Sequence, residues 1–499
     1  MRKIFLSLFI LSFAVSHAQK IANPKPFANL ITEQDLKNHL YIVASKDFEG
    51  RETATEGQRK AAAYIESHFK SLGLAPGNGN DYQLHYPVYQ DSLIKAAITV
   101  NEKSFTLNED FAVNAGVDYN ATLMGSEIVF AGHGISDSTR DDYNGVNAAG
   151  KIVLVLNEDA AAQQRGPGRR FNPYRLQDAA QKHGASALLV VMNNFPRRNG
   201  NAKGNMYQNA FKKTIYPNTF YISEKIALAI MGDDYAAAKN GKAQPKTYAA
   251  DVELEFAKNT SHLQSSDVLG YLEGTDLKDQ LVVISAHYDH LGKRDSLIWY
   301  GADDDGSGTV SILEIAQAFA KAKAAGKGPR RSILFLANSG EEKGLWGSEY
   351  YTDHPTYPLD KTTVDLNIDM IGRLDDSRKI GDSTNYVYVV GDDKLSTDLK
   401  QISETVNKKY TKLELDYKFN DPKDPQRIYY RSDHFNFARK GVPIIFYYDG
   451  MLDADYHKPT DTPDKINYDV MAKRAKLVFY TAWEMANRND MLKRDIPLQ

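Results

Sequence analysis

The sequence predicts an α/β protein: a largely parallel, twisted sheet with helices on both faces, interrupted by a second, β-rich unit. Three observations carry this. After His262, near-continuous apolar runs alternate with helical stretches, the pattern of strands that are buried on both faces. From about residue 124 to 258 the texture is instead one of short β-branched runs cut by glycine. The chain has 499 residues, enough for two or three domains, each with its own core.

The N-terminus reads MRKIFLSLFILSFAVSHAQ: Arg2 and Lys3, an apolar run from Ile4 to Val15, then Ser16-His17-Ala18 before Gln19. A leader over residues 1–18 is expected, too short to span a bilayer, with export to a periplasm or beyond the cell. No later run is long and apolar enough to predict stable membrane insertion. The chain has no cysteine, which excludes a lipid-modified N-terminal cysteine, disulfides and thiolate metal sites. Any metal must sit on His, Asp and Glu.

Residues 19–123 are expected to form the first part of the main domain. Within them, EGQRKAAAYIESHFKSLGL (56–74) sets Ala61, Ile65, His68, Phe69 and Leu72 at helical spacing and stops at Gly73. Residues 124–258 carry EIVFAGHGI, GKIVLVLN and ASALLVVMN, which predict the inserted β-rich unit. Its loop RGPGRRFNPYR reads as a solvated basic linker, with a substrate-facing loop as the second reading. Residues 259–499 resume the main domain with strands LVVISAHY (281–288), SILFLANSG (332–340), VDLNIDMIG (364–372), NYVYVVG (385–391) and VPIIFYYDG (442–450). Between them lies the helical stretch GTVSILEIAQAFAKAKAAG (308–326). In such sheets ligands bind beyond the carboxyl ends of the strands.

Composition adds exclusions. With 42% hydrophobic and 25% charged residues and a mean hydropathy of -0.49, the chain has an ordinary globular make-up. Its net charge of -3 offers no basic field for nucleic acid.

The chemistry sits where the apolar runs end. His287 and Asp289 are two residues apart at the end of LVVISAHYDH, so in an extended strand both point to one face, where one could bind metal while the other orients it. Asp303, Asp304 and Asp305 follow a short loop, Glu341 and Glu342 follow the next strand, Asp369 ends another, and His457 lies in DADYHKPTDTPDKI. Each has a plainer reading alone. An isolated histidine is usually a surface or core residue, as His290, His354 and His434 are read here; paired glutamates are usually solvated; three aspartates can cap a helix. A calcium loop lacks the bidentate Glu that an EF-hand needs. Taken together, five such residues at successive strand ends point to metal.

The blocks SKDFEGRETATEGQRKAAAYIESHFKSLGLAPG, SAHYDHLG, GADDDGSGT, NSGEEKGLWGSEYY, LNIDMIGR, YRSDHFNFARKGVPIIF and DYHKPTDTPDKI, in this order, resemble the co-catalytic di-zinc exopeptidases of metallopeptidase family twenty-eight, the secreted leucyl-type aminopeptidases. The middle unit, EIVFAGHGISDSTRDDYNGVNAAGKIVLVLN through DAAQKHGASALLVVM, resembles the protease-associated domain inserted in some members. The resemblance implies two zinc ions per chain, with His287 and Asp369 on one, Glu342 and His457 on the other, and Asp303 as the bridge. Asp304 and Asp305 are then expected to turn the backbone and cap the following helix. Two ions supply four positive charges; three carboxylates and a bridging hydroxide balance them. Glu341 resembles the general base, Asp289 the carboxylate that fixes the His287 tautomer, and Tyr429 the oxyanion support, with the adjacent Tyr430 as an open alternative.

The implied activity is release of N-terminal residues from peptides with a free N-terminus. One departure is DGMLDADYH (449–457), which lacks the glycine-x-histidine step of many relatives and is expected to shape the specificity pocket. The alternatives on this fold are a carboxypeptidase, with Arg373 and Arg431 as carboxylate handles, and a glutaminyl cyclase with a single zinc. A non-catalytic binding ectodomain is the alternative of another class, and the complete ligand set with Glu341 speaks against it.

Overall fold

The computed structural model describes residues 22–157, 173–197 and 202–498; the expected leader and most of the basic loop at 165–175 lie outside the described residues. The chain divides into two units, Met1–Tyr86 with Ser265–Gln499, and Pro87–Gln264.

In the first unit, four parallel strands run in the order Arg331–Asn338, Leu277–His287, Thr362–Ile368, Ile444–Tyr448. Tyr386–Val390 pairs antiparallel with Ile444–Tyr448 and parallel with Glu414–Asp416. At the other edge, residues 268–272 of the strand Lys246–Leu272 run antiparallel to Arg331–Asn338. The apolar runs are continuous because each strand feeds two cores, alternating with the period of two of an extended chain. Val282, Ile284, Ala286, Ile333, Phe335 and Ala337 face one core, closed by the helices Glu33–Val43, Glu56–Ser71, Gly308–Ala324 and Tyr468–Asn487. Leu281, Val283, Leu334 and Leu336 face the other, closed by Trp346–Asp353 and His434–Arg439. The sheet is thus largely parallel with helices on both faces. Its carboxyl ends bring the loops after His287, Asn338 and Ile368 to one edge.

The second unit has its own parallel run, Ala121–Phe130, Ile152–Leu156, Ala187–Val191 and Asn218–Ile222, with residues 246–256 antiparallel to the first of these. It also holds the helices Pro173–Lys182, Glu224–Met231 and Asp234–Lys239. The sequence places its start at 124. The strands Gln83–Val100, Lys103–Phe105 and Phe111–Ala112 bring Ile98, Val100, Phe105 and Phe111 into this unit's core, so the division falls at 86/87 and 264/265. Pro87 and the polar residues of QLHYPVYQDSLIKAAITV hide that first strand from an apolar-run reading. No helix of the described residues is long and apolar enough to cross a membrane.

One buried cation ties the first unit's loops together. The Arg51 side chain is fully buried and donates from Nε to the carbonyl of Tyr288 (2.7 Å), from Nη1 to those of Val43 and Tyr300 (both 2.8 Å), and from Nη2 to that of Gly301 (2.9 Å). Burial pulls its pKa down to about 10, against the charges of Asp289 and Asp461, so it stays protonated at neutral pH. These bonds clamp the segment that follows the His287 strand to the loop that precedes the three aspartates. Arg51→Met keeps the stem but leaves the carbonyls without their donor, a loss of about 3–5 kcal/mol of stability. Urea unfolding at pH 7 measures it; a change below about 0.5 kcal/mol, the range of an ordinary surface substitution, would contradict the clamp.

Candidate metal centre

The loop that carries the three aspartates is shaped by close approach. Gly301 has φ +55°, and a Cβ there would lie 2.3 Å from the Asp304 carbonyl oxygen and 2.5 Å from His290 Cγ. A Cβ at Gly308 would lie 2.3 Å from Asp305 Oδ2. Only glycine fits either position. Asp461 accepts from the backbone N–H of Asp303 (3.0 Å) and of Asp304 (3.2 Å), fixing the turn from outside. The Asp304–Asp305 peptide is cis.

The three carboxylates then part company. Asp305 Oδ1 accepts from the N–H of Gly308 (2.8 Å) and of Met370 (3.0 Å), so it caps the helix Gly308–Ala324 as expected. Asp303 is the expected bridge, but its Oδ1 accepts from the N–H of Gly372 (2.8 Å); burial and the neighbouring Asp449 push its carboxyl well above the ordinary range. The carboxylate between the two groups is that of Asp304. Its Oδ1 lies 3.3 Å from His287 Nε2, and its Oδ2 lies 3.2 Å from His457 Nε2. The reason is backbone direction: successive side chains in this turn point to different partners, and only the middle one faces the cleft.

Around Asp304 stand two clusters. In the first, His287 Nε2 is 3.5 Å from Asp369 Oδ1 and 3.9 Å from Glu341 Oε2. In the second, His457 Nε2 is 3.1 Å from Glu342 Oε2, while His290 Nδ1 is 2.7 Å from Glu342 Oε1 and 3.9 Å from Asp304 Oδ2. Burial pushes the Asp304 carboxyl up, but His287, His457 and His290 outweigh it and hold it well below its usual range. Glu342 is held at about 2 in the same way, with burial and Asp304 opposing and His290 and His457 prevailing. Glu341 behaves oppositely: burial pushes it well above its usual value, and the charge of His287 does not offset this.

Asp289 is near His287 but acts more widely. Its Oδ1 is 3.6 Å from His287 Nδ1, whose shorter contact is the Asp289 backbone carbonyl at 3.1 Å. Oδ1 also accepts from the Glu341 N–H (3.2 Å), and Oδ2 accepts from the Thr53 hydroxyl (2.7 Å). It therefore joins the two loops that carry His287 and Glu341.

Tyr429 is a correction. Its ring stands against Tyr430, His434 and Phe435 and lines a separate cavity with Asp393, Phe419 and Arg427, because the short turn Ile428–Tyr430 sends Ile428 to the cleft instead. Tyr430 lines that same separate cavity. The tyrosines in the cleft with Asp304, Glu341 and Asp369 are Tyr448 and Tyr456. Tyr448 ends the strand Ile444–Tyr448, so the strand-end rule that found the other site residues also points to it. Among the histidines read as ordinary, His434 is a core residue held to the Tyr429 carbonyl (2.8 Å) and pushed by burial to about 3, and His354 sits on the Tyr350 carbonyl (3.1 Å). His290 does belong to the site; its signal was its place three residues after His287 in SAHYDHLG.

These residues fit zinc. His287 Nε2, both ring nitrogens of His290, Asp304 Oδ2 and Glu342 Oε1 are buried without a hydrogen-bond partner, although they crowd one another. Buried polar atoms that approach closely without bonding are satisfied by a shared cation, and imidazole with carboxylate is a donor set that zinc accepts.

Residues 267–482 match the sequence profile of Peptidase family M28. The chain is 32% identical over 217 residues to a "Probable leucine aminopeptidase" of Arthroderma otae, covering 42% of this chain and 56% of that protein. It is 23% identical over 352 residues to aminopeptidase YwaD of Bacillus subtilis, covering 68% and 64%. The match to the fungal relative spans a little over half of that protein's length. An aminopeptidase from Aneurinibacillus sp. strain AM-1 superposes with a TM-score of 0.56 at 18% identity, over 96% of this chain and 100% of that one. A zinc aminopeptidase from Bacillus subtilis superposes with 0.51 at 20%, over 94% and 98%. The last two show the shared fold.

Zinc at about a hundred times its dissociation constant is expected to stabilise chelator-treated protein by about 2.7 kcal/mol, a rise of several degrees in Tm. Asp304→Asn should lose that rise and Asp303→Asn should keep it. Differential scanning calorimetry distinguishes them; the reverse pattern would restore Asp303 as the shared carboxylate.

Proposed function

Since residues 267–482 form a peptidase family M28 segment, we propose that the protein is an exported zinc aminopeptidase with two ions per chain, which hydrolyses the first peptide bond of peptides with a free N-terminus. The observation that carries this reading is the Asp304 carboxylate, buried with one oxygen facing His287 and the other facing His457. One ion would be held by His287 and Asp369, the other by Glu342 and His457, with Asp304 shared. When bound, zinc supplies Lewis acidity towards the scissile carbonyl and lowers the pKa of water.

The chain's own groups do the rest. With Asp304, Glu342 and Asp369 holding the ions, Glu341 would be left free to exchange a proton. Its carboxylate can take a proton from the attacking water and hold it until the leaving amine accepts it. Its backbone is fixed for this by the bond from its N–H to Asp289. Met370, Ile428, Phe446 and Leu452 give the cleft apolar walls that exclude bulk water and receive a side chain. Tyr456 brings a hydroxyl that can steady charge on the carbonyl oxygen, the role expected of Tyr429.

Glu341→Gln keeps size but cannot accept a proton. It is expected to lower kcat by about 10²–10⁴-fold with zinc content unchanged. Glu342→Gln replaces an anionic ligand with a neutral amide and is expected to lose zinc as well as activity. Aminoacyl-amide turnover together with metal analysis separates the two. Zinc loss in Glu341→Gln with both ions kept in Glu342→Gln would show the pair to be assigned in reverse.

A further inference from the structure

The cleft that holds Asp304, Glu341 and Asp369 is not uniform. Met370, Ile428, Phe446 and Leu452 make it apolar, but one part carries Arg431, Tyr448 and Tyr456. Among the described residues Arg431 forms no ion pair. Its one side-chain hydrogen bond runs from Nη2 to the Tyr456 hydroxyl (3.0 Å), and its guanidinium sits 5.8 Å from that ring's centroid. The Tyr448 hydroxyl is buried and has no hydrogen-bond partner. Arg373, the other arginine of these motifs, is different: it pairs with Asp455 at 3.0 Å and does not line the cleft.

A guanidinium has five N–H donors in a planar fork that matches a carboxylate, and the solvent-exposed Arg431 commits one of them within the protein, to Tyr456. Beside it, the Tyr448 hydroxyl supplies another donor that the fold leaves unmatched. The cleft's own carboxylates do not satisfy them, since they face the histidines. Donors in the cleft that its carboxylates do not bond can select an anionic group of matching size.

We propose that Arg431, with the Tyr448 hydroxyl, binds a carboxylate of the substrate and so sets specificity. This rests on the aminopeptidase reading, in which metal ions would offset the charges of Asp304, Glu342 and Asp369 so that an anion can approach. The carboxylate has two sources in a peptide cut at its first bond: the side chain of an acidic N-terminal residue, or the C-terminal carboxylate of a dipeptide. Charge-assisted bonds of this kind discriminate about ten- to a hundred-fold against the neutral analogue.

The test is kcat/KM of the zinc-loaded full chain on two pairs, Glu-Ala-amide against Gln-Ala-amide, and Leu-Ala against Leu-Ala-amide. Wild type is expected to favour the charged member of one pair at least ten-fold, and the pair that discriminates names the source. Arg431→Gln should bring that ratio close to one, mainly through KM, and Tyr448→Phe should reduce it in part. A ratio near one in both wild-type pairs overturns the proposal, as does a ratio that survives in Arg431→Gln, where an equal fall for both members would mark Arg431 as a support for Tyr456 alone. If wild type cleaves none of the four, the aminopeptidase reading itself falls, and the proposal with it.

Discussion

The site depends on a single buried carboxylate having two sides. Asp304 is almost without solvent contact, and its oxygens face different histidines. An isolated carboxylate in that position would be driven to take up a proton; it stays ionised because imidazoles flank it. Much of the surrounding structure serves to aim it. Gly301 and Gly308 allow the backbone to pass where no side chain fits, Asp461 holds the turn by its N–H groups, and Arg51 ties the loop to the strand that ends in His287.

Those contacts are long-range in sequence but short in the fold, because the parallel strands end together. Leu277–His287 lies between Arg331–Asn338 and Thr362–Ile368, so His287, the Glu341-Glu342 turn and Asp369 emerge from adjacent strands. The sheet is covered on both faces, which fixes each strand's register through two cores. Precise strand ends then become a precise ligand cage. Asp289 completes the link, bonding to the N–H of Glu341 across two loops.

Much of this was legible in the residues. Apolar runs followed closely by His, Glu or Asp pick out His287, Glu341, Glu342, Asp369 and the loop holding His457, and the fold brings these side chains together. The rule failed where its signal had no phase. Three adjacent aspartates look alike in sequence, and only the backbone turn shows that Asp303 bonds to Gly372, Asp304 faces the histidines and Asp305 caps the helix. Position in a motif points Tyr429 to the site, whereas a short helical turn directs it to a separate cavity. His290 reads as an isolated histidine, yet it stands three residues after His287, and the loop returns it to Glu342. The early start of the second unit is hidden in the sequence because its first strand is half polar and carries a proline.

The central claim is that Asp304 is shared by two zinc ions. Anomalous X-ray diffraction from crystals of the zinc-loaded protein, recorded on either side of the zinc edge, locates the ions without reference to activity. The account predicts two peaks about 3.5–4 Å apart, one on each side of the Asp304 carboxylate, with His287 and Asp369 at one and Glu342 and His457 at the other. A single peak, or a pair flanking Asp303 with Asp304 turned away, would contradict it.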